Sequence, residues 1–385
     1  MKQTKRARGA EAGMKDAFEE LKTLIDGILP ADERAAESAR KRQGELAKPP
    51  GSLGRLEELA VRLAGITGRV CNTLDDKVLL VFCADNGVVE EGVSSAPQSV
   101  TAAQTVQLTR GKTGASSIAA KLGCRVRVCD VGVAADLGTY PAVIDRKIAY
   151  GTKNIAKGPA MTREEAVEAL LTGVQLALDA VREGADVLGV GEMGIGNTTT
   201  SAAVLSVLCG KPARDVTGRG GGITEDAYRK KISVIEKAIA LNRPDPLDPI
   251  DVLSKVGGFD LAAMTGAFLG AAKARVPAVI DGFISVVAAL CAARLCPAAG
   301  AFLIPSHASA EIGYKTAMDA LGLAPLFDLG MRLGEGSGCP IAMAVLDAAC
   351  AAMNGMATFS EARIDDGYLD PIRAADSFTV PGGVS

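Results

Sequence analysis

The sequence predicts an α/β protein built on an open, doubly wound, mostly parallel sheet. Two patterns predict it. Short apolar runs recur at 77–83, 125–133, 186–191, 277–281 and 301–305, none with clear polar alternation. Strands covered on both faces read this way. Longer stretches with helical spacing lie between them, among them 162–183, 198–208 and 226–241. Strand alternating with helix is the signature of stacked βαβ units.

The chain ahead of the first run is helical in pattern, near 15–28 and 31–46. Lys48-Pro49-Pro50-Gly51 breaks that pattern, and Ser52 is expected to cap a third helix, SLGRLEELAVRLAG, with Arg55 and Glu58 on its polar face. The first dozen residues are basic, lack an apolar core and read as a solvated tail. The longest nearly apolar stretch, 282–293, is shorter than the roughly 20 residues a membrane span needs. No internal repeat or low-complexity linker is visible.

Composition narrows the function. The 385 residues suggest two or three domains. The 42 basic and 45 acidic residues leave a net charge of −3, which argues against a generic nucleic-acid or anionic-membrane binder. Tryptophan is absent and aromatics make up 4%, so recognition of single strands by stacking is disfavoured. His307 is the one histidine, which excludes zinc sites built on several. A nucleophilic triad would depend on it alone, and no G-x-S-x-G elbow accompanies it. It is read as a structural, hydrogen-bonded residue at a helix start near the site. The nine cysteines include no C-x-x-C pair, and Cys83, Cys129, Cys209 and Cys291 sit in or beside apolar runs, as reduced core thiols of a cytoplasmic protein do.

In doubly wound sheets ligands bind beyond the carboxyl ends of the strands. The residues that follow four of the runs are polar or Gly-rich: Ala84-Asp85-Asn86-Gly87, Gly191-Glu192-Met193-Gly194, Asp281-Gly282 and Ser306-His307. Their convergence on one edge marks a site.

Three motifs carry candidate chemistry. In GVGEMGIGNTTT (189–200) a strand enters a glycine turn, and Asn197-Thr198-Thr199-Thr200 opens a helix whose N-terminus favours a phosphate. Gly189, Gly191 and Gly194 fit a dinucleotide fingerprint, but Glu192 would repel a pyrophosphate. Gly191 to Thr198 resembles a P-loop with Asn197 in place of lysine. A phosphate monoester fits better, and a plain Thr-capped turn stays open as the alternative. Thr217-Gly218-Arg219-Gly220-Gly221-Gly222, followed by Arg229, Lys230 and Lys231, offers amides and a cation to the same phosphate, or else a solvated basic face. Gly334-Glu335-Gly336-Ser337-Gly338 sets one carboxylate between glycines, either a general base if desolvated or a helix N-terminal acid.

Together these segments resemble the nicotinate-nucleotide–dimethylbenzimidazole phosphoribosyltransferase family. The resemblance rests on KPPGSLGRLEELA (48–60), ADNGVVEEGVSSAPQSVTAAQ (84–104), GVGEMGIGNTTT, TGRGGG (217–222), VGGFDLAAMTGAFLGAA (256–272), DGFISVVAAL (281–290), PSHASAEIG (305–313) and LGEGSGCPIA (333–342), in the family's order. It implies a Rossmann-like, three-layer α/β domain at 66–338. A small helical domain would form from both chain ends, 18–65 and 339–385, behind a flexible tail at 1–17. It implies transfer of 5-phosphoribose from nicotinate mononucleotide to 5,6-dimethylbenzimidazole, in cobalamin lower-ligand assembly, with inversion at C1′ and no metal or cofactor. Glu335 matches the general base. Glu192, Gly194, Gly196, Asn197, Thr198, Gly220, Gly221, Lys231 and Ser306 are expected on the nucleotide and its phosphate. Ala96, Gln104, Met193 and Leu333 are expected around the base. The resemblance also implies a homodimer, without nucleic-acid or membrane partners. Two competing readings are an NAD(P)-dependent dehydrogenase, with Asp215 about 20 residues past the glycines, and a non-catalytic nucleotide-binding regulator.

Overall fold

The computed structural model describes residues 16–371. Most of the expected tail at 1–17 and the end of the expected segment 339–385 lie outside the described residues. Residues 16–26 (α1), Glu33–Glu45 (α2) and Arg55–Thr67 (α3) are helical and precede the first strand, Lys77–Ala84 (β1). Ser99–Thr109 (α4) and Gly114–Lys121 (α5) lead to Cys124–Gly132 (β2) and Val143–Asp145 (β3). Arg163–Arg182 (α6), Val187–Met193 (β4), Asn197–Cys209 (α7), Ala213–Val216 (α8), Glu225–Asn242 (α9), Pro249–Val256 (α10) and Phe259–Ala274 (α11) follow. The chain continues through Ala278–Ile280 (β5), Phe283–Leu295 (α12), Leu303–Pro305 (β6), Gly313–Leu321 (α13), Cys339–Gly355 (α14) and Phe359–Ala362 (α15).

The six strands are all parallel, in the order β3-β2-β1-β4-β5-β6. This is the expected doubly wound α/β fold. The order reverses between β1 and β4, so the crevice for a ligand opens at their carboxyl ends. Strand β3 escapes the sequence reading because three residues, one of them Asp145, make no apolar run. Every residue of β4 is buried, and α11 is buried around nearly its whole circumference. A helix apolar on all sides belongs inside a core, which is why α11 shows no amphipathic stripe.

Close packing of α6 on α11 depends on two glycines. A Cβ on Gly173 would overlap the carbonyl oxygen of Ala263, and one on Gly266 would overlap that of Leu170. The backbones therefore meet directly, the nearest approach that helix packing permits.

Two expected starts differ. Ser52 does not cap α3. Residues 49–54 form turns, with Ser52 N–H donating to Pro49 O (3.1 Å) and Gly54 N–H to Gly51 O (2.9 Å). Gly54 stands at the N-cap with φ 54°, and Leu53 N–H donates to the Glu57 carboxylate at 3.0 Å. His307 does not begin a helix either. It forms a bridge with Phe327, and α13 starts six residues later.

The chain divides into two units. Among the described residues, one holds 16–29 together with Asp76–Ala342; the other holds Pro30–Asp75 and 343–371. Residues 18–29, expected with the helical part, fall in the sheet-bearing unit. There Lys273 Nζ donates to Gly27 O at 2.8 Å. Within the second unit, Arg42 Nε donates to Met353 O (3.0 Å) and Asn354 Nδ2 to Asn72 O (2.7 Å).

All nine cysteines are free thiols. Burial pushes Cys124 and Cys291 up to about 12, so they remain neutral core residues. No helix among the described residues is long and apolar enough to cross a membrane.

Gly173→Ala should lower the unfolding free energy by about 3 kcal/mol, because neither backbone can retreat without opening the core. Urea denaturation measures it; a loss within experimental error would show that the helices slide apart freely.

Candidate active site

The site forms where four strand ends meet. A cavity of about 260 Å³ opens over the carboxyl ends of the sheet. Its lining includes Glu335 and, from the expected nucleotide set, Glu192, Gly194, Gly196, Asn197, Thr198, Gly220, Gly221 and Lys231. Ala96, Gln104, Met193 and Leu333 line it too. Ser306 is the exception. It is fully buried beneath the floor, where its hydroxyl donates to Asp281 O at 3.1 Å. Its neighbours His307 and Ser309 reach the cavity instead.

The turn that carries Glu335 is unusual in its backbone. Gly334, Glu335 and Gly336 all have left-handed φ values, of 85°, 61° and 82°. Two glycines take up such angles without cost, whereas a glutamate there stores on the order of 1–2 kcal/mol of strain. Strain of this kind clusters at functional sites. Asp281, at the end of β5, holds the turn: its carboxylate accepts Gly336 N–H at 3.1 Å and Gly338 N–H at 2.7 Å. Glu335 is itself buried, and its Oε2 accepts Ala115 N–H at the start of α5 (3.2 Å).

The glycines of GVGEMG have a packing role. A Cβ on Gly191 would lie 2.5 Å from Gly336 N, and one on Gly189 2.6 Å from Cys339 Cβ. Both sit in β4 and let the Glu335 turn settle on the sheet edge. Only Gly196, at φ 94°, serves as the N-cap of α7. The likeness to a dinucleotide fingerprint thus has another cause. Asp215, which that reading required, is exposed on α8 beside Arg214 and does not line the cavity.

Glu192 and Asp260 form a buried acidic pair within an amide frame. Asn197 Nδ2 donates to Glu192 Oε2, and Asn86 Nδ2 lies 3.5 Å from Asp260 Oδ2. Desolvation, then the charge of Asp260, pushes Glu192 up to about 8 against the opposing bond from Asn197. Burial likewise lifts Asp260 to about 6, against hydrogen bonds from Leu261 N–H, Asn197 and Asn86. Glu192 is therefore mostly protonated at pH 7, which weakens the repulsion expected between it and an anion.

The opposite chemistry gathers around Lys231. This lysine is almost wholly buried; Nζ donates to Thr198 Oγ1 at 2.8 Å and to Gly218 O at 3.1 Å. Burial lowers it to about 8, with Glu311 raising it in part. Gly220 lies against Thr198, so the 217–222 loop and the α7 N-terminus share one wall. Amides, a hydroxyl and an ammonium together suit a phosphate. The apolar walls differ in character: Met193 is 9% exposed, while Leu333 is 57% exposed and lies over Gly114 at the rim.

Sequence reading missed Glu311, Arg332 and Asp260 near the site, and assigned Asp281 no task. Glu311 and Arg332 line the cavity, and Glu311 Oε1 accepts Gly220 N–H at 2.8 Å. Only the position of Asp281 after a strand hinted at its importance. His307, buried, has Nδ1 3.2 Å from Ser306 Oγ and 3.7 Å from Asp281 Oδ1.

A family model described as phosphoribosyltransferase matches residues 28–364. The nicotinate-nucleotide–dimethylbenzimidazole phosphoribosyltransferase of Clostridium perfringens is 51% identical over 360 residues, covering 94% of this chain and 99% of its own. The enzyme of the same name from Ruminiclostridium cellulolyticum is 50% identical, covering 90% of this chain and 98% of its own. A crystal structure of CobT from Thermus thermophilus superposes with a TM-score of 0.84 at 43% identity, covering 87% of this chain and 100% of that one.

Glu192 has a folded value near 8 against 4.5 unfolded, so its contribution to stability is complete below about 4.5 and is lost as pH rises through 8. Glu192→Gln, neutral at every pH, should gain on the wild type by on the order of 3 kcal/mol between pH 5 and pH 8. Urea unfolding of both proteins at the two pH values tests this, and a constant difference would place the proton elsewhere.

Proposed function

The chain belongs to the nicotinate-nucleotide–dimethylbenzimidazole phosphoribosyltransferase family, and on that premise we propose that it transfers 5-phosphoribose from nicotinate mononucleotide to 5,6-dimethylbenzimidazole or a related azole. The products are nicotinate and α-ribazole 5′-phosphate, with inversion at C1′, in the assembly of the cobalamin lower ligand. The observation that carries the reading is one buried carboxylate, Glu335, lining the same cavity as the amide, hydroxyl and ammonium groups around Lys231.

One azole nitrogen attacks C1′ while the bond from C1′ to the pyridinium nitrogen breaks. The electron pair of that bond returns to the ring, so nicotinate leaves without a proton. Glu335 accepts the proton from the second azole nitrogen, which keeps the product base neutral. Its left-handed backbone and the Ala115 amide aim the carboxylate. Lys231, Thr198, Gly220 and Gly221 hold the phosphate, and Gly194, Gly196 and Asn197 line the nucleotide's path. Ala96, Gln104, Met193 and Leu333 flank the flat base. Neutral Glu192 contributes a hydrogen bond beside the sugar phosphate without adding negative charge. A homodimer in the cytoplasm belongs to the same reading.

Glu335→Gln should cut kcat by roughly 10²–10⁴-fold, the usual share of general base catalysis, with KM for nicotinate mononucleotide little changed. Nicotinate release that depends on added benzimidazole is the assay; near-normal turnover would end the general-base role. The Lys231 ammonium is lost as pH passes about 8, so KM for nicotinate mononucleotide should climb there. Lys231→Gln should raise KM below pH 8 and shrink the step, and an undiminished step would assign it to another group.

A further inference from the structure

Gly220, one of the amides assigned to the phosphate, is already engaged. Its N–H donates to Glu311 Oε1 at 2.8 Å. The second oxygen, Oε2, is buried with no hydrogen-bond partner, against Gly218, where a Cβ would overlap it. Lys231 spends its ammonium on Thr198 Oγ1 and Gly218 O. The Gly220 N–H and the Lys231 ammonium are thus both engaged, and the group on Gly220 is itself a carboxylate.

Resting on the function proposed above, we propose that Glu311 is a built-in competitor for the phosphate subsite: its carboxylate occupies the Gly220 amide in the empty enzyme and is displaced when the substrate's phosphate binds. Three physical points support it. The half-buried Gly220 amide has the Glu311 carboxylate as its acceptor when no ligand is present. A carboxylate and a phosphate compete for one N–H, and two anions in a partly desolvated space repel. The loop takes left-handed angles at Gly220 (57°) and Gly222 (111°), and its tie to Glu311 keeps that shape ready. Glu311 therefore sets the affinity of the subsite and eases departure of the phosphorylated product. It touches no reacting atom.

The test compares wild type, Glu311→Gln and Glu311→Ala in the azole-dependent release of nicotinate. No azole-dependent release by the wild type would defeat the functional reading itself. With an active wild type, KM for nicotinate mononucleotide and the inhibition constant of inorganic phosphate should both fall, roughly three- to tenfold, with kcat unchanged or lower. Unchanged or higher values in the variants would show that Glu311 only props the loop, and would overturn the proposal. A second measurement needs no variant: wild-type crystals soaked with inorganic phosphate. Phosphate on Gly220 N–H with the Glu311 carboxylate moved away supports displacement, and phosphate bound with that carboxylate still on Gly220 refutes it.

Discussion

Asp281 accepts two amides, from Gly336 and Gly338, and much of the site depends on those bonds. They fold a strained turn back onto the sheet edge, and that turn carries Glu335. Asp281 is held in turn: its own N–H donates to Ser285 Oγ, which donates to Val190 O, and its carbonyl accepts Ser306 Oγ–H. Burial raises its carboxyl, while His307 and the turn amides favour the charged form. Donors meet this buried carboxyl on several sides, the condition under which a buried polar group is tolerable. Under the proposed mechanism this rigidity serves chemistry, since a proton acceptor is effective only within hydrogen-bond reach of its donor.

Glycine packing provides the second constraint. Gly189 and Gly191 lie in a strand whose neighbours are Cys339 and the Glu335 turn. Side chains there would lift the turn off the sheet. Gly194 presses on Ala84 O and the Asp260 carboxylate, closing the floor between β1 and β4. A motif that reads as a ligand cradle is therefore largely a backbone-to-backbone contact, and its contribution to binding is mostly indirect. The amides of the 217–222 loop are the more direct candidates for holding an anion.

Charge is divided across the cavity. One region holds Glu192, near 8 and largely protonated at neutral pH because desolvation and the charge of Asp260 outweigh the bond from Asn197, and Asp260, near 6 and largely ionised there. The other holds a buried ammonium whose affinity for protons is reduced by the same burial. Neither group carries a freely solvated charge. On the proposed function, the negative charge of an anionic nucleotide would fall beside Lys231 and meet little at Glu192.

The sheet was legible in the sequence because parallel strands covered on both faces have to be continuously apolar. The general rule for doubly wound folds then placed Asp85, Glu192, Asp281 and His307 on one edge. Local chemistry left Glu335 open between a general base and a helix N-terminal acid, and only the family resemblance chose the base. The misreadings share one cause. Whether Ser306 faces a cavity or its floor, whether Ser52 or Gly54 ends up at the head of α3, and what Gly191 makes room for are set by partners distant in sequence. The tasks of Asp281 and Glu311 are written in bonds to Gly338 and Gly220, 57 and 91 residues away. Periodicity and motif spacing report which way a chain segment runs and what it can offer. Which of those groups meet, and with what charge, is decided only when the strands close the sheet and expel the water between them.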